Sequence, residues 1–135
     1  MEGYTVNELA SKIKAYMEKW LENNKQEFYE LADFIWAHPE LGLEEYLAHK
    51  KITDILRKHG FSVESGLGGM PTSFVATYGT EGPVVGVNVE YDALPGLSQQ
   101  SNVPYPNPVI DGAPGHGCGH NILGSTAVMA GVALR

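Results

Sequence analysis

The sequence predicts an α/β fold, and three observations support this class. Two segments with apolar residues at helical spacing precede Gly60, short apolar segments separated by Gly and Pro follow it, and a last helical pattern ends the chain. A chain of 135 residues with 43% hydrophobic content suits one compact domain with its own core. We therefore interpret residues 1–135 as a single domain segment.

The first helix is predicted to begin at Thr5. The Thr5-x-x-Glu8 pattern has the form of a capping box, in which each side chain accepts a hydrogen bond from the other residue's backbone. Apolar residues then recur at helical spacing: Leu9, Ile13, Tyr16, Trp20, Phe28, Leu31 and Ile35. We expect a break near Asn23-Asn24. Pro39 disfavours helical geometry at His38, so the sequence "AHPELG" is expected to end the helix and turn.

A second helix is predicted from about Leu43 to Gly60. One stripe of this helix is formed by Leu47, Ile52, Ile55, Leu56 and His59. Glu44 and Glu45 suit its first turn, where negative charge is favoured. We interpret this acidic pair as structural and not as a pair for general-base catalysis.

Three strands are predicted after Gly60, in "FSVES", "SFVATYG" and "PVVGVNVEY". The last segment is a valine run, as in a buried strand, and it ends in Glu90-Tyr91-Asp92. Ligands of open α/β sheets bind beyond the carboxyl ends of strands. The two acids therefore stand where a functional site is expected, although a strand end that reaches solvent is also ordinarily polar.

A long loop rich in Pro, Gly and Ser is predicted over residues 93–119, and loops of this length are usually functional or mobile. A final helix follows in "NILGSTAVMAGVALR", with Asn121 as a candidate cap. Small residues in this helix are expected to permit close packing on a sheet.

Composition excludes several classes of partner. The net charge is −7, with nine basic and 16 acidic residues and no basic cluster, which argues against nucleic acid and anionic membranes as partners. No apolar run is long enough to span a bilayer. We expect a cytoplasmic protein. Its one cysteine cannot form an internal disulfide.

The sequence "GHGCGHN" is the strongest candidate for a metal site. In extended backbone, His116, Cys118 and His120 would face one side, with glycines between them. Thiolate and imidazole groups both bind zinc and similar divalent ions. A structural glycine-rich turn and a nucleophilic cysteine are the alternatives, and no separate base for a nucleophile is evident. Glu90 and Asp92 could bind metal directly, or one could orient a ligating histidine.

Three motifs in order, "HPELGLEEY", "VNVEYDALPG" and "GHGCGHN", resemble the N-terminal part of metal-dependent amidohydrolases in the aminoacylase and carboxypeptidase G superfamily of metallopeptidases. The long insertion between "DALPGL" and "GHGCGHN" is similar to that of the aminobenzoyl-glutamate hydrolase B-subunit subfamily. The resemblance covers about residues 28–135. It implies the N-terminal part of a three-layer zinc-peptidase-like catalytic domain, with long N-terminal helices, a mixed sheet and a buried helix.

The resemblance also implies an enzyme with two divalent metal ions, zinc or manganese, that hydrolyses an amide bond next to a free carboxylate. Cys118 and His120 match the family's metal ligands, and Asp92 matches the acid that orients the site and tunes the general base. His116 matches a recurrent histidine whose ligand role stays open. Glu90 stands where much of the superfamily has a ligating histidine, so the resemblance leaves its role open as well.

Other parts of the family's active site have no counterpart in this sequence. The general-base glutamate, the remaining ligands and the dimerisation domain of the family all lie downstream of the matched region. We therefore expect an incomplete catalytic domain that is inactive by itself and that forms a homo- or hetero-dimer through a region absent here. The expected substrate is a small N-acyl amino acid or dipeptide, with aminobenzoyl-glutamate favoured. The alternative is a non-catalytic truncated or partner subunit that retains the motif.

Overall fold

The computed structural model describes residues 5–135, which contain three α-helices and one two-stranded sheet joined by loops. The elements in chain order are α1 (Val6–Ala37), α2 (Tyr46–Lys58), β1 (Ser62–Ser65), a 3-10 turn (Leu67–Gly69), β2 (Phe74–Thr77) and α3 (His120–Ala133). This combination of helices and a small antiparallel sheet is compatible with part of an α/β domain.

Helix α1 begins as the sequence predicts. The Thr5 hydroxyl accepts a hydrogen bond of 3.3 Å from the Glu8 N–H, and the Glu8 carboxylate accepts one of 2.9 Å from the Thr5 N–H. The predicted break at Asn23-Asn24 is wrong, because α1 continues to Ala37 without interruption. The Asn24 side-chain amide donates to the Trp20 carbonyl at 2.7 Å, so this polar side chain is satisfied within the helix.

Helix α2 begins at Tyr46 and not near Leu43. Leu43 has a φ of 70°, in the left-handed region, which cannot form part of a right-handed helix. The chain therefore completes its turn before α2 starts. The other end agrees with the sequence, since α2 ends at Lys58 and Gly60 follows with a φ of 86°.

The first turn of α2 is stabilised by Glu40, an acid in the "AHPELG" segment that precedes the helix. The Glu40 carboxylate accepts hydrogen bonds from the N–H groups of Leu47 and Ala48, at 2.9 Å and 3.0 Å. Glu44 and Glu45 precede the helix, so their predicted place in its first turn is wrong. A side chain from outside the helix satisfies its free N–H groups just as an N-cap residue would.

The sheet has one strand fewer than predicted. β1 and β2 pair antiparallel, with Ser62 opposite Thr77, as the first two apolar segments predict. Residues 83–91 run next along the chain but join no strand ladder among the described residues. Val84 is 98% exposed, because no strand within residues 5–135 covers the valine run. The expected third strand is therefore absent from residues 5–135, since an extended segment becomes a strand only when its backbone groups are paired.

The core lies between the three helices and one face of the sheet. Its largest fully buried side chains are Phe28, Leu31, Ile35, Ile52, Thr53, Val128 and Val132. Within residues 5–135, no helix combines the length and the apolar character that crossing a membrane requires.

Helix α3 lies very close to the polypeptide that precedes the loop. A Cβ atom added to Gly124 would lie 2.6 Å from the Glu90 carbonyl oxygen, so only glycine fits there. The expectation of close packing by small residues is confirmed, although the partner is an unpaired segment and not a sheet. The predicted Asn121 cap is wrong, because α3 starts at His120 with Gly119 as its N-cap. Asn121 is buried instead, with its amide 3.4 Å from the Ala32 carbonyl.

Candidate functional site

The acidic end of residues 83–92 meets the first residue of α3. The Nδ1 atom of His120 lies 2.7 Å from Asp92 Oδ1, within a hydrogen bond. Its other ring nitrogen, Nε2, lies 3.3 Å from Glu90 Oε2. Asp92 and Glu90 therefore both contact the His120 ring, each at a different nitrogen, although the sequence marked the acids and the histidine in separate segments. Because a carboxylate only accepts hydrogen bonds, the 2.7 Å contact requires the proton to be on Nδ1.

Two short backbone contacts fix the chain directly after Asp92. The Ala93 N–H donates to the Glu40 carbonyl at 2.7 Å, which attaches this point to the turn between α1 and α2. Leu94 and Gly115 then exchange two hydrogen bonds of 3.0 Å each. The polypeptide that carries Asp92 is thereby held between the turn before α2 and the loop that leads into α3.

The "GHGCGHN" segment is a turn and not an extended strand. The Gly119 N–H donates to the His116 carbonyl at 3.2 Å, and Gly119 has a φ of 75°. Side chains two residues apart therefore do not share a face: His116 is buried, Cys118 is exposed and His120 is half-buried. The predicted comb of three donors facing one side is wrong, because it assumed extended backbone.

His116 attaches this turn to α1. Its Nε2 atom donates to the Ile35 carbonyl at 3.0 Å, and its ring stacks at 6.4 Å from the ring of Trp36. Burial lowers the pKa of His116, and the hydrogen bond to Ile35 opposes this effect only in part. The ring is therefore neutral near pH 7, and its buried Nδ1 atom has no hydrogen-bond partner among residues 5–135.

The contacts of His120 fit a metal ligand in type and in spacing. Two ligands bonded at about 2.0–2.2 Å in a tetrahedral zinc site lie about 3.4 Å apart, close to the observed separation of His120 Nε2 and Glu90 Oε2. Asp92 on the opposite nitrogen matches the carboxylate that commonly orients a ligating histidine. The structure does not bring Cys118 into this group: among residues 5–135, no three His, Cys, Asp or Glu side chains are arranged to hold a metal ion.

A buried polar network begins at Tyr91, the residue between Glu90 and Asp92. The Tyr91 hydroxyl donates to the Thr72 carbonyl, and the Thr72 hydroxyl donates to the Glu45 carboxylate. These three residues are 8%, 3% and 8% exposed, respectively. Burial raises the pKa of Tyr91, and the carboxylates of Glu45 and Glu40 add to this effect, so the hydroxyl remains a donor.

Sequence reasoning missed this network. It assigned Glu45 to the start of α2, whereas the side chain turns inward to Thr72. One signal for Tyr91 was present: alternation along extended backbone places it opposite Glu90 and Asp92, and a buried tyrosine hydroxyl needs a partner. No local pattern marked Thr72, because its contacts lie far from it in sequence.

Known proteins that are similar to this chain include three hydrolases. The B subunit of p-aminobenzoyl-glutamate hydrolase from Escherichia coli is 39% identical over 123 residues, which cover 91% of this chain and 26% of the relative. Xaa-Arg dipeptidase from Mus musculus is 30% identical over 116 residues, which cover 78% of this chain and 23% of the relative. Thermostable carboxypeptidase 2 from Saccharolobus solfataricus is 30% identical over 118 residues, which cover 86% of this chain and 27% of the relative. The chain is homologous to amidohydrolases and peptidases.

The names of these relatives describe hydrolases, in agreement with the resemblance seen in the sequence motifs. No protein-family model matches the chain. The chain spans about a quarter of the length of these relatives, between 23% and 27%. The match with the Escherichia coli hydrolase covers 91% of this chain and therefore includes both Asp92 and His120.

Proposed function

We propose that this chain contributes part of the active site of a metal-dependent hydrolase that cleaves an amide bond in an N-acyl amino acid or a dipeptide-like substrate. The observation that carries the proposal is the contact of His120 with Asp92 on one ring nitrogen and Glu90 on the other. Homology to amidohydrolases and peptidases supports it independently. The proposed fold is the N-terminal part of a three-layer zinc-peptidase-like domain.

Each proposed role follows from the chemistry of the side chain. Asp92 accepts the Nδ1 proton of His120 and so leaves the Nε2 lone pair free to bind a metal ion. Cys118, as a thiolate, is the second proposed ligand. Two divalent ions, zinc or manganese, would supply Lewis-acid activation of the amide carbonyl and of water when bound.

The favoured substrate is of the aminobenzoyl-glutamate type. The names of two relatives refer to an aminobenzoyl-glutamate and to a dipeptide ending in Arg, and each contains an amide next to an amino acid with a free carboxylate. Residues 5–135 contain no identified general base, so this role is proposed for polypeptide outside the chain. The cytoplasmic location and the dimer expected from the sequence stay predictions.

Metal content and amide hydrolysis together test this proposal. Both are measured on the 135-residue chain and on the product of its complete reading frame, with p-aminobenzoyl-glutamate as substrate and added zinc or manganese. We expect about two metal ions and turnover in the complete product. The variant His120→Ala should lose both. His49→Ala is the matched control, because this histidine contacts Ser65 and not the acidic pair.

A non-catalytic subunit is the second candidate function. The exposure of Cys118 and the lack of a three-ligand cluster among the described residues favour it. A complete product that holds no metal and hydrolyses no amide would support this second function and refute the first. Metal content and activity equal in His120→Ala and the wild type would exclude His120 from the site.

A further inference from the structure

Tyr91 separates the two acids of the candidate site and points away from them. Its side chain is 8% exposed, whereas the side chains of Glu90 and Asp92 are 45% and 33% exposed. The Tyr91 hydroxyl reaches the Thr72 carbonyl, and its ring stacks on Phe74 of β2 at 6.1 Å. The backbone at Tyr91 is therefore anchored from the core side, while its neighbours face His120.

The anchor extends to the turn before α2. The Thr72 hydroxyl donates to Glu45, the residue that immediately precedes the helix. The same turn holds the other side of Asp92, because the Ala93 N–H donates to the Glu40 carbonyl at 2.7 Å. Both chain neighbours of Asp92 are thus attached to the turn before α2, Tyr91 through a side-chain network and Ala93 through the backbone.

Helix α3, which carries His120, rests on the same residue. A Cβ at Gly124 would lie 3.2 Å from the Tyr91 Cβ, so the helix and the tyrosine are in direct contact. Tyr91 is consequently joined to Asp92 by the backbone, and at Gly124 it contacts the helix that carries His120. A functional constellation needs its side chains held within about 0.5 Å of the working geometry.

We propose that Tyr91, Thr72 and Glu45 form a positioning network that holds Asp92 in hydrogen-bond contact with His120. The inference rests on the proposed function only in treating this contact as part of a metal site. The network acts on Asp92 through the backbone. The three members are positioning residues.

The test follows the His120 Nδ1 proton by NMR on the full chain. The hydrogen bond to Asp92 should protect this proton from exchange with water, so its signal should be visible in the wild type and absent from Asp92→Ala, which assigns it. We expect the signal to be lost in Tyr91→Phe and in Glu45→Ala. Glu45→Gln should restore it, because the amide oxygen still accepts the Thr72 hydroxyl proton.

A control variant separates positioning from general loss of stability. Ile52→Val removes a methyl group from a fully buried side chain of α2 that belongs to the hydrophobic core and not to the network. It should lower stability yet keep the proton signal. Zinc titration of the same variants should give roughly tenfold weaker binding for Tyr91→Phe, at the low end of the loss that partners of a metal ligand cause, and unchanged binding for Ile52→Val.

The results distinguish failure of the network from failure of the metal site. A persistent His120 signal in Tyr91→Phe, or equal loss of the signal in Ile52→Val, would overturn the network. A wild-type chain without a protected Nδ1 proton would also overturn it, because the bond to be positioned would not exist. A wild-type chain that binds no zinc while its signal responds to Tyr91→Phe would support the network and contradict the proposed metal site.

Discussion

Replacing Gly124 with alanine should destabilise the protein, although alanine is the better helix former. In an α-helix interior, Gly→Ala ordinarily stabilises by about 1 kcal/mol. At Gly124 the new Cβ would lie 2.6 Å from the Glu90 carbonyl oxygen, which is backbone and cannot rotate away. Helix α3 and the acidic segment must therefore move apart.

Gly131 in the same helix provides the matched control, because an added Cβ there meets no atom of the described residues 5–135 within 4 Å. Gly131→Ala should stabilise by about 0.5–1 kcal/mol from helix propensity alone. Overpacking costs about 1–3 kcal/mol, so the net change for Gly124→Ala should range from about zero to about 2.5 kcal/mol of destabilisation. Helix propensity largely cancels between the two variants, which should differ by about 1–3 kcal/mol.

Urea unfolding of both variants measures this difference. With an m-value of about 2 kcal/mol per molar, the two midpoints should lie about 0.5–1.5 M apart, with Gly124→Ala the lower. Zinc affinity should also fall in Gly124→Ala, because α3 carries His120 away from Glu90 and Asp92. Equal stabilisation of both variants would refute the close approach of α3 to the acidic segment.

Three further predictions concern single carboxylates. Asp92→Asn should weaken zinc binding by about 10- to 100-fold in a calorimetric titration, because the amide is a poorer hydrogen-bond acceptor for the ligating imidazole. Unchanged zinc affinity would contradict the proposal that Asp92 orients His120. Glu40→Ala should cost about 0.5–2 kcal/mol in urea unfolding and Glu40→Gln less, because the amide oxygen still accepts from α2; equal costs would contradict the capping role. Burial raises the pKa of Glu27, but hydrogen bonds from Lys58 and His59 outweigh it and leave the pKa below its ordinary value of 4.5. Its stabilisation is therefore present above pH 4.5 and is lost as the pH falls through the folded-state pKa, so Glu27→Gln should lose less stability than the wild type on acidification.

Local signals predicted the ends of several elements correctly. The capping box at Thr5 and Glu8, and Pro39 after His38, fix the start and end of α1 through contacts within a few residues. The start of α2 was wrong because it depends on the left-handed turn at Leu43, for which the sequence carries no glycine signal. The missing third strand has a different reason: a strand requires a partner, and periodicity in the valine run cannot supply one.

The sequence marked candidate site residues but could not predict their geometry. The sequence marked Asp92 and His120, and their hydrogen bond spans 28 positions. It could not place His116 and Cys118, because their directions depend on a turn at Gly119 that interrupts the alternation of an extended chain. The sequence did not mark Tyr91 as a candidate, because its hydrogen-bond partner, Thr72, lies in the loop before β2. Only the fold determines the position of Thr72.

Cobalt(II) titration of the 135-residue chain tests the central claim most directly. Cys118 is the only cysteine, so any thiolate-to-cobalt charge-transfer absorption in the near ultraviolet reports this residue alone. We predict that such absorption appears and saturates in the wild type, is absent from Cys118→Ser, and requires more cobalt in His120→Ala. Absence of the band in the wild type at saturating cobalt, or its persistence with equal affinity in His120→Ala, would contradict a metal site shared by Cys118 and His120.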